Sequence, residues 1–142
     1  MSSETKIQLL ERERAAHDHW WSTLAEVPPD ASRPDGWTLN DVVAHVSAWQ
    51  RYSAGRIGEI AQNGDDPGPP RDEDRFNEEA RLAAGAWEET RREAAEAHRA
   101  LLELVASLPE ARVFADDGLI EFIVRVNGSG HYEEHPASEF AV

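Results

Sequence analysis

The chain carries His131-Tyr-Glu-Glu-His135 near its C-terminal end and a separate histidine, His45, within the apolar run Val42-Val43-Ala44-His45-Val46. Histidines at i and i+4 project from one side of a helix with Cβ atoms about 6 Å apart, so both imidazoles can reach one metal ion. A third imidazole from a second helix would complete three protein ligands and leave one coordination position open, the pattern of a catalytic rather than a structural metal site. There is no cysteine, which excludes disulfides, thiolate zinc sites and a cysteine nucleophile. Any metal must therefore be held by nitrogen and oxygen.

His45 follows Val42 by three residues and precedes Trp49 by four, which puts it on or beside a core stripe. Alone, such a histidine reads as a packed side chain bonded to a neighbour. The terminal pair changes that reading. Stepping back from His135 by fours and threes gives His131, Asn127, Ile123 or Val124, and Ile120, so the pair continues an apolar face. Two inward imidazoles need partners, because buried polar groups without hydrogen bonds are costly. A shared metal would meet that need. Gly128, Gly130 and Pro136 weaken the helix on either side of the pair, which predicts a loosened last turn. His98 and His17 read as core or boundary residues, and His19 as exposed.

The elements that must position these groups are helical. The length of 142 residues suits a single domain over 1–142 with a substantial core. Apolar residues recur at helical spacing in four segments, and nothing reads as a strand. The first runs from Thr5 to Val27, with Ile7, Leu10, Trp20, Trp21, Leu24 and Val27 as its buried side, and Pro28-Pro29 stops it. The second opens at Thr38 with Asp41 three residues on, a capping-box pattern, and buries Leu39, Val42, Val46, Trp49, Ile57 and Ile60. Residues 62–74, rich in Gly, Pro and Asp, form a long connection that is either a surface loop or a rim over a site. The third helix is expected over Phe76 to Leu108, followed by a turn from Pro109 to Asp116. The fourth is expected to start with Asp117 as N-cap and to run toward the histidine pair. The expected fold class is all-α, a four-helix bundle.

Charge narrows the partners. Twenty-eight acidic residues against 14 Lys plus Arg give a formal net charge of −14, which disfavours nucleic acid and anionic membranes. The first residues contain no apolar signal region, and no run approaches about 18 apolar residues. A soluble, cytoplasmic protein is the expectation.

Two stretches together resemble a known family. Trp37-Thr-Leu-Asn-Asp41-Val-Val-Ala-His45-Val-Ser-Ala-Trp49 is similar to the second-helix signature of DinB-like proteins, and Asn127-Gly-Ser-Gly-His131-Tyr-Glu-Glu-His135 to their fourth-helix signature. The H-Y-x-E-H form with a preceding Asn most resembles the ClbS/DfsB-like branch. The resemblance implies a compact four-helix bundle, frequently a homodimer, with a divalent metal held by three histidines in a central cleft; here these are His45, His131 and His135. Characterised members of the superfamily include thiol S-transferases using mycothiol or bacillithiol, a mycothiol-dependent maleylpyruvate isomerase and a self-resistance protein that hydrolyses a genotoxin's cyclopropane. Few residues remain beyond Pro136 to cover a cleft from that side.

Three neutral imidazoles would suit Zn²⁺ or Ni²⁺, with water, a low-molecular-weight thiol or a substrate oxygen at the open position. The cleft candidates are Asp41, Asn127, Tyr132 and Trp49, with Trp37 as a further apolar wall. Asp41 could orient His45 or simply complete the Thr38 capping box, and Glu133 and Glu134 read as solvated. Arg51, Arg56 and Arg125 lie near the histidine segments and are candidates to meet a carboxylated thiol. Three readings remain open: a metal-dependent transferase or hydrolase of small reactive molecules, a protective protein that handles a toxic small molecule without metal, and a non-enzymatic helical bundle.

Overall fold

The structure, a computed structural model, describes residues 4–140. The elements are α1 (Lys6–Leu24), α2 (Leu39–Asn63), α3 (Glu73–Leu82), α4 (Trp87–Ser107), α5 (Glu110–Val113), α6 (Ala115–Asn127) and α7 (Ser129–Glu134), followed by a 3-10 turn, Ala137–Glu139. No strand occurs among the described residues; a single bridge joins Ser32 and Thr38. The fold is all-α, as its periodicity predicts, and no described helix is long and apolar enough to cross a membrane.

Local chemistry sets most helix starts. Thr5 and Gln8 form a capping box at α1, with Thr5 Oγ1 accepting from Gln8 N at 3.2 Å and Gln8 Oε1 from Thr5 N at 2.9 Å. Thr38 and Asp41 do the same for α2 at 3.1 and 3.0 Å, so Asp41 is committed to the helix start. Gly64, at φ 76°, ends α2 in the left-handed conformation that glycine adopts without strain.

Three expectations about the helices are corrected. The third helix is not continuous over Phe76 to Leu108. It divides at residues 83–86, where Gly85 weakens the helix and Ala86 is extended at ψ 158°. The break lets α3 lie against α2, with Phe76 packed edge-on to Trp49 and Tyr52 at 5.0 and 5.7 Å. Asp117 is not an N-cap. Asp116, Asp117 and Gly118 are all left-handed, at φ 56°, 57° and 78°, so regular helix resumes at Leu119. The preceding connection contains the single turn α5. On α1, Ile7 is 65% exposed while Leu9 is fully buried. The inward line of that helix runs Leu9, Glu13, Trp20 and Leu24, and its acidic member hides it from an apolar pattern.

The connection before α3 is tied to α2. Arg56 grips Asp66 with two contacts of 2.7 and 2.8 Å, and Tyr52 Oη donates to Gly68 O at 2.7 Å.

Helices α1, α2, α4 and the α6–α7 pair enclose two apolar clusters. One contains Leu9, Ile57, Leu101, Val105, Ile120 and Ile123; the other contains Trp20, Leu39, Val42, Val46, Tyr132 and Phe140. Each fully buried Leu or Ile contributes about 1.5–3 kcal/mol relative to exposure. At mid-height each helix places a polar residue between the clusters: Glu13, Gln50, His98 and Asn127. Gln50 Nε2 donates to Asn127 O at 3.1 Å and to Tyr132 Oη at 2.9 Å, which ties this layer across helices.

Candidate metal centre

His45 comes from α2, His131 from α7, and His135 caps the end of α7. Between α6 and α7 the chain breaks at Gly128, at φ −110° and ψ −108°. The break is fastened from α1. Buried Glu13 accepts from Ser129 N at 2.8 Å and from Ser129 Oγ at 2.7 Å, and its carboxylate packs so closely on Gly128 that any Cβ there would collide with it. Arg12 Nε holds the second Glu13 oxygen at 3.1 Å. The first turn of the histidine-bearing segment is therefore set by a charged residue more than a hundred positions earlier.

His131 and His135 are not two members of one continuous helix, as their spacing suggests. The residue before Pro136 is pushed out of α conformation, and His135 has φ −125° and ψ 62°. The rings converge nonetheless. Ring centroids are 4.8 Å apart for His45–His131, 5.4 Å for His45–His135 and 5.0 Å for His131–His135. His45 Nε2 is 3.0 Å from His131 Nε2, and one ligand atom from each of the three lies within 4.8 Å of the others.

Burial keeps two of these groups neutral. Desolvation, with the nearby His135 as the second cause, lowers the His45 pKa to about 4. Desolvation and then His45 and His135 lower that of His131 to about 3. Both are neutral imidazoles at physiological pH, the form that binds a metal. His135 Nδ1 lies 3.0 Å from Glu139 Oε1. A carboxylate only accepts, so this contact puts the donated proton on Nδ1. Trp20 Nε1 donates to the His135 carbonyl at 2.9 Å and holds the backbone there. The 3-10 turn after α7 thus supplies a supporting carboxylate that the sequence does not advertise.

The three imidazoles open onto a cleft of about 540 Å³, whose walls include Trp37, Trp49, Asn77, Asn127 and Arg33. Trp37 and Trp49 flank His45 edge-on, with centroids at 5.8 and 6.5 Å. Of the expected residues, Asn127, Trp49 and Trp37 line it, and Glu134, expected to be solvated, lines it as well. Tyr132 is instead buried and stacked on Trp20 at 4.8 Å, with burial raising its pKa. Asp41 stays at its helix start, where Arg81 pairs with it at 3.4 Å. None of Arg51, Arg56 and Arg125 reaches the cleft; the arginine present is Arg33, from the loop before α2. That loop turns through Gly36, at φ 91°, and the Arg-Pro-Asp-Gly run beside Trp37 was its only sequence signal.

The other histidines lie elsewhere. His17 and His98 stack face to face at 3.7 Å between α1 and α4, and His98 Nδ1 is 3.5 Å from Tyr132 Oη. Burial and then His17 bring His98 to about 4. His19 is exposed.

The all-α fold gathers three histidines from two segments, α2 and α7, into one open cleft, a group that could hold a metal ion. The chain belongs to the DinB superfamily, whose family model matches residues 8–122. That match spans His45 and ends before His131 and His135. A crystal structure of a Streptococcus pneumoniae protein has the same fold, with a TM-score of 0.77 over 99% of this chain and 90% of that one, at 13% identity. No curated protein matches the sequence.

Proposed function

We propose that the chain is a metal-dependent enzyme in which His45, His131 and His135 hold a divalent ion, Zn²⁺ or Ni²⁺, against a small-molecule cleft. The observation that carries the reading is the convergence of three imidazoles, two of them kept neutral by burial, on the wall of an open cleft. Metal–nitrogen bonds of about 2.0–2.1 Å at tetrahedral angles place neighbouring ligand nitrogens about 3.3–3.4 Å apart; the His45–His131 pair, at 3.0 Å, lies within a few tenths of an ångström of this, and the three ligand atoms lie within 4.8 Å of one another.

When bound, such an ion would lower the pKa of a thiol or water toward neutrality, supplying a nucleophile for transfer to, or hydrolysis of, a small reactive molecule. The protein residues divide the remaining work. Glu139 keeps the proton of His135 on Nδ1, Trp37 and Trp49 give an apolar surface that limits water around the reacting atoms, and Asn127 stands beside His131 as a polar contact. The reading extends to a cytoplasmic, homodimeric protein of detoxification type.

A second reading has its own observation. The Nδ1 atoms of His45 and His131 are buried without a protein hydrogen-bond partner, and the Nε2–Nε2 contact is also a donor–acceptor distance between two neutral imidazoles. A protective protein similar to the ClbS/DfsB-like branch, handling a toxic molecule without metal, would use the pair that way. Elemental mass spectrometry on untagged protein separates the two. Near-stoichiometric Zn or Ni that disappears in His45→Ala supports the enzyme, whereas no metal after reconstitution with either ion leaves the metal-free reading.

A further inference from the structure

The cleft is charged in one sense. One arginine, Arg33, and three carboxylates, Asp35, Glu73 and Glu134, line it. Arg33 is already engaged: Nη2 pairs with Asp35 Oδ2 at 3.0 Å, and Nη1 lies 3.7 Å from Glu139 Oε1. Arg81, over the Trp37 ring, is paired with Asp41 at 3.4 Å and Glu78 at 3.8 Å. Glu73 opens α3 and Glu134 closes α7, and neither has an ion-pair or hydrogen-bond partner among the described residues. Two carboxylates from different elements therefore face the cleft without a counter-charge. The chain's net charge of −14 adds a field that draws cations and repels anions.

The buried polar groups point the same way. Asn127 is only 7% exposed, and its Nδ2 donates to Ile123 O at 2.9 Å. A carbonyl only accepts, so this bond fixes the amide and leaves Oδ1 as an acceptor without a protein donor on the cleft wall. Trp37 and Trp49 stand edge-on to His45 and give the cleft its apolar wall. Tryptophan also favours a nearby cation over an anion through its ring quadrupole.

We infer that the side chains of the cleft favour a small molecule with a flat apolar body and a protonated amine, and that by themselves they discriminate against ligands bearing a carboxylate. The apolar body lies against Trp37 and Trp49, and the ammonium group is met by Glu73, Glu134 and the Asn127 Oδ1. The inference rests on the proposal that this cleft is where the chemistry occurs, and it does not require the metal.

The test compares 2-phenylethylamine with 3-phenylpropionate, near-isosteres of opposite charge, by titration calorimetry and ligand-observed NMR at low ionic strength. It is run on the protein as purified and again in chelator, because a bound ion would itself attract the carboxylate. In chelator the amine should bind about tenfold or more tightly than the acid, and a Glu73→Gln, Glu134→Gln double variant should bring the two within about threefold. Equal or tighter binding of the acid in chelator overturns the inference, as does a preference unchanged in the double variant. Failure to find metal sinks only the metal-enzyme reading, since the amine preference is read without it.

Discussion

The carboxylate of Glu13 occupies the space that a side chain at Gly128 would need, and the same carboxylate takes both hydrogen bonds offered by Ser129. One residue of α1 thus decides both that the fourth helical segment breaks and where α7 begins. Gly128→Ala should destabilise the protein by about 1–3 kcal/mol, the usual cost of forcing atoms into a filled interior. Urea denaturation checks it; an unchanged midpoint would mean that Glu13 can move aside freely.

Glu13→Ala should act by a different route. It leaves the Ser129 N–H and hydroxyl without their acceptor in a part-buried site, a loss of about 1–3 kcal/mol. Because α7 carries His131, metal affinity should fall along with stability, and a chelator-competition titration would show both changes in one variant. Retention of native affinity would show that α7 is positioned by its packing alone.

Glu139→Ala should weaken metal binding by about tenfold to a hundredfold, in the range expected for removing a carboxylate that orients a histidine ligand. Glu139→Gln keeps an acceptor for His135 Nδ1–H and should lose less. Thermal stability should hardly change in either, because Glu139 is a part-exposed residue of the terminal turn. A parallel loss of melting temperature in both would recast Glu139 as a structural residue.

Acid should destabilise the metal-free protein well above the carboxylate range. His45, His131 and His98 stay neutral in the folded state down to about 4, about 3 and about 4, whereas in the unfolded chain histidine takes a proton near 6.5. Between those values the unfolded state binds more protons, so the stability is fully present above about pH 7 and is lost as pH falls from about 6.5 toward 4. Relief of repulsion on this acidic chain works in the opposite direction. The melting temperature in chelator should therefore fall from about pH 7 to about pH 5 in the native protein and fall less in a His45→Gln, His98→Gln variant. Identical slopes would remove the histidines as the cause.

Helix α3 should be the least protected of the longer helices. None of its residues is buried, and it is held by Phe76 against Trp49 and Tyr52 and by Trp49 Nε1 donating to Asn77 Oδ1 at 2.7 Å. Few buried apolar contacts mean a low free energy of local opening. Hydrogen exchange should show α3 amides exchanging faster than those of α2 and α4, and Trp49→Phe should speed them further. Slow exchange in α3 would count against this account.

What the sequence made legible was local. The Thr38–Asp41 capping box and the helical class follow from spacings within a few residues of each group, and the grouping of His45, His131 and His135 is what the resemblance of two short stretches implies; the first helix ends at Leu24, three residues short of the expected Val27. What it hid was contact at a distance. Glu13 reads as one more acidic residue on a charged helix until Gly128 is placed beside it, and Ile7 is drawn inward by a pattern that cannot count a glutamate as core. The division of the expected third helix rests on one glycine among alanines that individually favour helix. Arg33 and Glu139 sit in loops on either side of the site, with no periodicity to mark them.

The seam of polar side chains between the two apolar clusters has a mechanical meaning. Gln50 bonds to the Asn127 carbonyl and to Tyr132, so sliding α2 along α6 by one turn would set an amide against leucine and isoleucine. Greasy surfaces tolerate such slippage; a polar seam hydrogen-bonded across the two helices does not. His45 lies five residues from Gln50, about 7.5 Å along the helix, and His131 lies four from Asn127. The seam serves as a vernier for the histidines: it reads off the axial offset of two helices, and the imidazoles inherit the setting.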